Sequence, residues 1–253
     1  MRVFLQKFIN LDYLIDFFIK ALPIPLFELM AVLAGTYYLK TCKQPEKIHK
    51  YLVYFLWYTF LNEMIALYAP VAYFTQYKYF GFVENTIFYD NVWLYNIYIL
   101  ISIGFFVNFF RGYLSSIKLK KTIFYILIVY LLISVLNFIF TDIFFTSYSV
   151  LAITFGTILL LFTIILFYFD LLKIDKVFNL KYYLPFYISI GALVSYLCVA
   201  PLFTFSKYFN ELNDSYVSLR VNIIFVTSII MYSIFIIGFL VCAKKDAKEE
   251  VLN

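Results

Sequence analysis

The chain has 253 residues, of which 64% are hydrophobic and only 14% are charged, and its mean hydropathy is +0.90. A soluble domain carries about 25% charged residues, and its core could not absorb this much apolar surface. The composition therefore excludes a water-soluble globular protein and indicates an integral membrane protein that contacts the lipid bilayer. The net charge of +5 does not indicate a nucleic-acid partner, because the basic residues are distributed as membrane orientation requires.

The N-terminal segment, residues 1–20, is apolar but is interrupted by Lys7, Asp12 and Asp16. These charges make it too polar to span a bilayer, while its apolar residues recur at helical spacing. We therefore expect an outer interfacial segment. A cleaved signal peptide is the alternative, but cleavage would remove the first span and leave the basic connector 40–50 outside, against the charge rule.

Seven apolar stretches follow, each long enough to cross a hydrocarbon core of about 30 Å at about 1.5 Å per residue. They predict an all-α polytopic membrane protein, in which seven transmembrane helices form one bundle over residues 21–242. The predicted spans are 21–39, 50–69, 91–110, 122–140, 147–169, 183–206 and 220–242.

The prolines support the limits of these spans. Pro23 and Pro25 open the first span, where a missing N–H costs nothing, and Pro185 opens the sixth. Pro70 follows the second span. Pro201 lies within the sixth span, where we expect a kink.

The basic residues predict the orientation. Fourteen of the 20 lysines and arginines fall in segments that alternate correctly with seven spans, and these segments should face the cytoplasm. The N-terminus is then outside, and the short tail 243–253, which carries both charges, is cytoplasmic. The longest connector, residues 70–90, lies outside; it could form an interfacial hairpin or a lid, but we favour a loop that follows the interface.

Close helix contacts are predicted by pairs of small residues four positions apart, which permit neighbouring backbones to approach. The pairs are Ala31/Gly35, Ala152/Gly156 and Gly191/Ser195.

Polar residues at membrane depth form the candidate ligand- or ion-binding site. A charged side chain at the centre of a span costs about 2.5–3.5 kcal/mol, so Glu28 and Glu63 should face the bundle interior. They could share a proton, pair with Arg220, or bind a cation or an amine; the alternative is that they only hydrogen-bond neighbouring helices. The candidates lie mainly in the outer part of the spans and are Glu28, Asn62, Glu63, Asn96, Tyr196, Arg220 and Asn222.

Several chemistries lack the residues that they need. His49 is the one histidine and lies in the first predicted cytoplasmic connector, whereas a seven-span zinc hydrolase requires several His ligands at membrane depth and an intramembrane Ser–His or Glu/His protease requires a histidine there. We interpret His49 as a residue of an interfacial loop. The seventh span has no lysine for a retinal Schiff base, no glycine-rich phosphate loop occurs, and the cysteines Cys42, Cys198 and Cys242 show no metal or redox spacing. We expect no catalytic residue, no metal site, no cofactor and no enzyme activity.

The last span reads Ser-Leu-Arg-Val-Asn-Ile-Ile-Phe from Ser218, and later Met-Tyr-Ser-Ile-Phe-Ile-Ile-Gly-Phe-Leu. With Asn222, Tyr232 and the basic tail, it resembles the end of small uncharacterised seven-helix membrane proteins of Bacteroidota. The resemblance covers about the final tenth of the chain and implies no activity.

Three functions remain open. A receptor-like sensor would bind a small ligand, whose identity the sequence does not reveal, in an outward polar pocket and signal through a cytoplasmic or membrane partner. A secondary transporter or a proton or cation pathway would use Glu28 and Glu63, but needs polar groups that continue to the inner side. A structural or assembly subunit would contact another membrane protein. The sparse polar groups of the inner half favour the sensor, in a bacterial inner membrane.

Overall fold

The computed structural model describes residues 15, 17–173, 180–205 and 214–251, and these residues form helices and turns with no strand. The predicted all-α fold is thus confirmed for the described chain. The helices are α1 Pro23–Thr41, α2 Lys47–Ala66, α3 Tyr68–Phe74, α4 Val92–Gly112, α5 Ile117–Phe140, α6 Ile143–Thr146, α7 Val150–Lys173, α8 Leu184–Thr204 and α9 Asp214–Val251, with a 3₁₀ turn at Gly81–Val83.

Six helices of the described chain are long and apolar enough to cross a membrane, which indicates a multi-pass membrane protein. They are Lys47–Phe74, Val92–Gly112, Ile117–Phe140, Val150–Lys173, Leu184–Thr204 and Tyr216–Lys244, and they correspond to the second to seventh predicted spans. The first predicted span, 21–39, forms α1 but is not among the six. Two prolines, Glu28 and Lys40 lower the hydropathy of this helix.

Six long helices form a closed ring. In order around it, α1 packs on α2, α2 on α4, α4 on α7, α7 on α8, α8 on α9, and α9 on α1. Helix α5 stands outside this ring, packed against α4 and α7, and it is the least buried of the six candidate spans. Because short connectors join successive long helices, their directions alternate. We call the end where α1, α4 and α7 begin the Pro23 end, and the end where they finish the Thr41 end.

The second span is longer than predicted because it continues through a break into α3. Pro70 has no N–H to donate to the carbonyl of Ala66, four residues before it. The Nδ2 of Asn91 donates to this carbonyl instead, at 2.9 Å. The break is therefore held by a side chain from the start of the next span. Pro201 lies inside α8, one turn before its end, and the kink there stays a prediction.

The structure describes part of each predicted terminal segment. Most of the interfacial segment 1–20 lies outside the described residues, but residues 17–21 are helical and lead into α1. Phe17 packs against Phe74, with 5.6 Å between the ring centroids. At the other end, the predicted tail 243–253 continues α9 as far as Val251, so the helix of 38 residues extends about 57 Å at about 1.5 Å per residue.

The small-residue pairs mark close contacts, as predicted. A Cβ on Gly35 would come within 2.9 Å of Val53 and 3.2 Å of Phe239, so α1 lies tightly between α2 and α9. On Gly191, a Cβ would lie 2.6 Å from the Phe235 ring and 3.1 Å from the Met231 carbonyl oxygen. A side chain at either position would therefore force neighbouring side chains or the helices themselves to shift.

Candidate functional site

A cavity of about 580 Å³ lies inside the ring, in the half nearer the Pro23 end. All six ring helices contribute to its wall, and no described residue of α5 does. The wall is mainly apolar and aromatic, with a small set of polar side chains that point to one space. This volume and this composition are typical of sites that bind small organic molecules, which occupy about 300–1,000 Å³.

Two carboxylates face this cavity from adjacent helices of its wall. Glu28 on α1 is 5% exposed and accepts a hydrogen bond from the Tyr232 hydroxyl to Oε1, at 2.8 Å. Glu63 on α2 accepts one from the Tyr95 hydroxyl to Oε2, at 2.9 Å. The two are close enough for their charges to interact. The structure therefore brings together the two acidic residues that the sequence placed at similar depth.

The polar wall has unused hydrogen-bonding capacity. The second carboxylate oxygen of Glu28, Oε2, is buried and has no hydrogen-bond partner among the described residues. A buried acceptor without a donor costs about 1–3 kcal/mol, and more if it is charged. A bound molecule that donates a hydrogen bond would remove this cost.

Three phenylalanines close the cavity toward the Thr41 end. Phe55, Phe106 and Phe235 are its deepest wall residues on α2, α4 and α9. The ring centroid of Phe106 lies 5.3 Å from that of Phe55 and 6.4 Å from that of Phe235. We call these three residues the aromatic floor. Beyond it, the side chains of Phe109 and Phe110 are fully buried, so the ring interior continues as packed hydrocarbon.

Four of the predicted site residues line the cavity: Glu28, Asn62, Glu63 and Tyr196. Asn62 is 5% exposed and lies one residue before Glu63. The hydroxyl of Tyr196 on α8 lies 2.6 Å from that of Ser102 on α4. This hydrogen bond connects two helices on different sides of the cavity and helps to fix its width.

Asn96 lies outside the cavity wall and has a structural role. Its side chain is fully buried; Nδ2 donates to the carbonyls of Phe144 and Ser147 at 3.1 and 3.0 Å, and Oδ1 accepts from the Ser149 N–H at 3.1 Å. Asn96 therefore anchors the turn between α6 and α7. Asn137, another amide near this end, is 3.3 Å from the Ser149 hydroxyl.

Arg220 and Asn222 are also absent from the cavity wall. The guanidinium of Arg220 lies over the Tyr216 ring, 6.0 Å from its centroid, and Asn222 is on the exposed surface of α9. The hydrogen-bond partners of Glu28 and Glu63 among the described residues are Tyr232 and Tyr95 instead. The proposed pairing of the carboxylates with Arg220 has no support in this arrangement.

Apart from Tyr196, the sequence did not single out the tyrosines that line the cavity. Tyr95, Tyr98, Tyr148 and Tyr232 all face it, but the chain has 25 tyrosines and most positions are compatible with a membrane interface. Their one distinguishing signal is helical spacing from a polar residue, as Tyr232 lies four positions after Ser228. Burial raises the pKa of Tyr148, which lies just before α7, to about 12, so its hydroxyl remains a hydrogen-bond donor.

The loop at the Pro23 end is not a lid over this cavity, because no residue from 75 to 90 lines it. The hydroxyl of Tyr68 anchors the loop by donating to the carbonyls of Phe88 and Asp90, at 2.8 and 2.6 Å. Several of its aromatic side chains are exposed, including Phe82 at 76%. These features fit the predicted loop that follows the membrane interface.

The expectation that His49 belongs to an interfacial loop is wrong. His49 lies in the first turn of α2, and its side chain is buried. Its Nδ1 is 2.9 Å from the Tyr38 hydroxyl, and its Nε2 is 3.0 Å from the Tyr113 hydroxyl. Tyr113 also donates to Glu46 at 3.1 Å. This chain of hydrogen bonds joins α1, α2 and the end of α4. Burial and the Glu46 carboxylate raise the pKa of Tyr113. The same two causes raise the pKa of Tyr183 to about 12, so both hydroxyls keep their protons.

Within the described residues, no group of three or more His, Cys, Asp and Glu side chains is placed to hold a metal ion.

No family model matches this chain, and no curated protein or solved structure matches it either.

Proposed function

We propose that the protein is a receptor-like sensor of a bacterial inner membrane that binds a small molecule in the cavity at the Pro23 end. The observation that carries this proposal is a cavity of about 580 Å³, ringed by six helices and closed on one side by the aromatic floor. A binding site that opens toward one side only is what a sensor requires, whereas a transporter must expose its site to both sides in turn.

The proposal includes seven spans, with the N-terminus outside and the C-terminus in the cytoplasm. In favour of a seventh span, α1 packs between α2 and α9, and its 19 residues extend about 28 Å at about 1.5 Å per residue. The lysine and arginine distribution supports a cytoplasmic location of the Thr41 end. Reporter fusions test this topology: a fusion after Asn253 should be cytoplasmic and one near Gln76 external.

A signal would pass from the cavity to the cytoplasm through movement of the ring helices. A ligand that binds one helix arrangement better than another shifts the population toward it. Residues Tyr38, His49 and Tyr113 connect three helix ends on the cytoplasmic side and would register such a shift. The basic connectors there would contact the signalling partner. The resemblance of α9 to seven-helix proteins of Bacteroidota is part of this proposal.

Thiol labelling tests the one-sided cavity. In a protein whose Cys42, Cys198 and Cys242 are replaced by alanine, a membrane-impermeant thiol reagent should modify Ser195→Cys, in the cavity wall, when added outside intact cells. The matched variant Thr163→Cys lies in the Thr41 half, where Thr163 is fully buried, and should not react from either side. Reaction of Ser195→Cys from the cytoplasmic side of inverted vesicles would contradict the sensor.

A transporter or a proton or cation pathway is the second candidate, and the two neighbouring carboxylates in one cavity favour it. Against it, two of the polar side chains in the Thr41 half bond to their own helices rather than lining a path: Thr163 donates to the Leu159 carbonyl and Asn108 to that of Gly104. Purified protein in liposomes should then move protons or cations, and Glu63→Ala should abolish the flux. An absence of flux across a range of gradients would leave the sensor.

A further inference from the structure

We propose that the molecule bound in the cavity is a hydrophobic organic amine, held as its ammonium ion with the nitrogen between the carboxylates of Glu28 and Glu63. This inference rests on the proposed function, since it names the class of ligand for the same site. Its three supports are the charge of the cavity wall, the hydrogen-bonding capacity of the two carboxylates and the aromatic surface around them.

The charge of the wall selects a cation. Among the described residues that line the cavity there are two glutamates and no lysine, arginine or histidine. The basic residue Arg220 on α9 is outside the wall: its guanidinium lies over the Tyr216 ring and its charge acts on Tyr148 of the wall, but it forms no ion pair with either glutamate among the described residues. An ammonium ion bound between the two carboxylates would stabilise their ionised forms, because an unpaired charge inside a membrane protein is costly. An anion would be repelled by an ionised glutamate, and a neutral molecule would not balance its charge.

The hydrogen bonds select a donor with several N–H groups. Each carboxylate accepts one bond from a tyrosine, Tyr232 for Glu28 and Tyr95 for Glu63, which leaves further lone pairs on both. The Oε2 of Glu28 has no donor among the described residues. A primary ammonium group has three donors in a tetrahedral arrangement and can bond to both carboxylates at once. A hydroxyl has one donor and can satisfy only one of them.

The remaining wall selects an organic body over a bare metal ion. A cavity of about 580 Å³ is far larger than a metal ion, and the described residues offer no cluster of three or more metal ligands. The rings of Tyr98, Tyr148 and Phe106 line it. Aromatic faces attract ammonium ions and also bury apolar groups, so an amine with a bulky apolar body meets both requirements.

A matched set of three probes tests this class. The probes are 3,3-diphenylpropylamine, 3,3-diphenylpropanol and 3,3-diphenylpropionate, which share one skeleton and differ in the charged or polar group. Binding to the protein in lipid nanodiscs is measured by equilibrium dialysis at pH 7, and binding to empty nanodiscs is subtracted. The same measurement is made on Glu28→Gln, on Glu63→Gln and on the control Glu84→Gln, which removes an exposed carboxylate of the loop at the same end.

We expect the amine to bind at least tenfold more tightly than the alcohol, and the propionate to bind most weakly. Glu28→Gln and Glu63→Gln should each reduce the preference for the amine at least fivefold, while Glu84→Gln retains it. If a glutamine variant fails to fold, the comparison of amine and alcohol on the unaltered protein still decides. Equal binding of alcohol and amine would overturn the amine class but leave a ligand-binding cavity. A preference for the amine that survives in both glutamine variants would have the same consequence. Absence of binding by all three probes would overturn both the amine class and the proposed function.

Discussion

The two halves of the bundle use their polar residues in opposite ways. In the half near the Pro23 end, polar side chains from different helices point into a shared cavity, and Glu28 and Tyr232 pair across α1 and α9. In the Thr41 half, Thr163 and Asn108 bond to carbonyls of their own helices. Between helices there, contact is mainly by aromatic rings, with a hydrogen bond of 2.9 Å between the hydroxyls of Tyr168 on α7 and Ser189 on α8 and those of His49 at the very end. A polar residue at membrane depth is thus evidence of a site only when it faces another helix.

The difference predicts that stability resides in the Thr41 half. Phe239→Ala should lower the free energy of unfolding most, by about 3–5 kcal/mol. Phe239 is fully buried on α9, and its ring lies 5.8 Å from that of Tyr38. The control Phe155→Ala removes a ring that is 61% exposed on α7 and should cost under about 1 kcal/mol, because lipid replaces the lost contacts. Unfolding in mixed micelles measures both; similar losses would contradict a packed Thr41 half.

Close approach of α8 and α9 predicts the next effect. Gly191→Ala should destabilise the protein by about 1–3 kcal/mol, since the new Cβ would lie 2.6 Å from the Phe235 ring and 3.1 Å from a backbone oxygen. The control is Gly104→Ala, where a Cβ meets nothing within 4 Å. There the higher helix propensity of alanine should leave stability unchanged or raise it by up to about 1 kcal/mol. Equal effects at the two glycines would mean that the backbones are not in contact.

Hydrogen bonds at the Thr41 end predict a smaller effect. Tyr113→Phe keeps the ring but removes the hydroxyl that joins His49 and Glu46. We expect a loss of about 1 kcal/mol, the usual net value of such hydrogen bonds. Tyr125→Phe, at a position that is 65% exposed on α5, should change nothing. Thermal unfolding in detergent compares the two; a silent Tyr113→Phe would show that this end is held by ring packing alone.

The sequence supplied most of the fold because its signals are local. Apolar length identified the helices, and the pairs built on Gly35, Gly156 and Gly191 marked real contacts. It did not supply the ring, since no local pattern distinguishes α5, which stands outside the ring, from the six helices that enclose the cavity.

Only some residues of the candidate site could be predicted from the sequence, for a related reason. Glu28, Asn62 and Glu63 stand out because they are costly in lipid, and all three line the cavity. Asn96 stands out equally, yet it holds a turn, because depth along a helix does not determine the face. Tyrosines fit both lipid interfaces and cavities, so their type alone indicated neither.

Tyr232→Phe should have the smallest effect on stability and thereby separate the cavity from the packed half. It removes the 2.8 Å hydrogen bond to Glu28, and hydrogen bonds between membrane helices average about 0.6 kcal/mol. The ring of Tyr232 would still pack against Phe235, 6.2 Å away, so we expect a loss of about 0.6 kcal/mol in mixed-micelle unfolding. Tyr95→Phe, which removes the bond to Glu63, should match it. A loss above about 2 kcal/mol in either variant would be well beyond the usual value of one such bond. It would mean that the carboxylates chiefly hold the helices together, and that the Pro23 half is a structural layer like the Thr41 half.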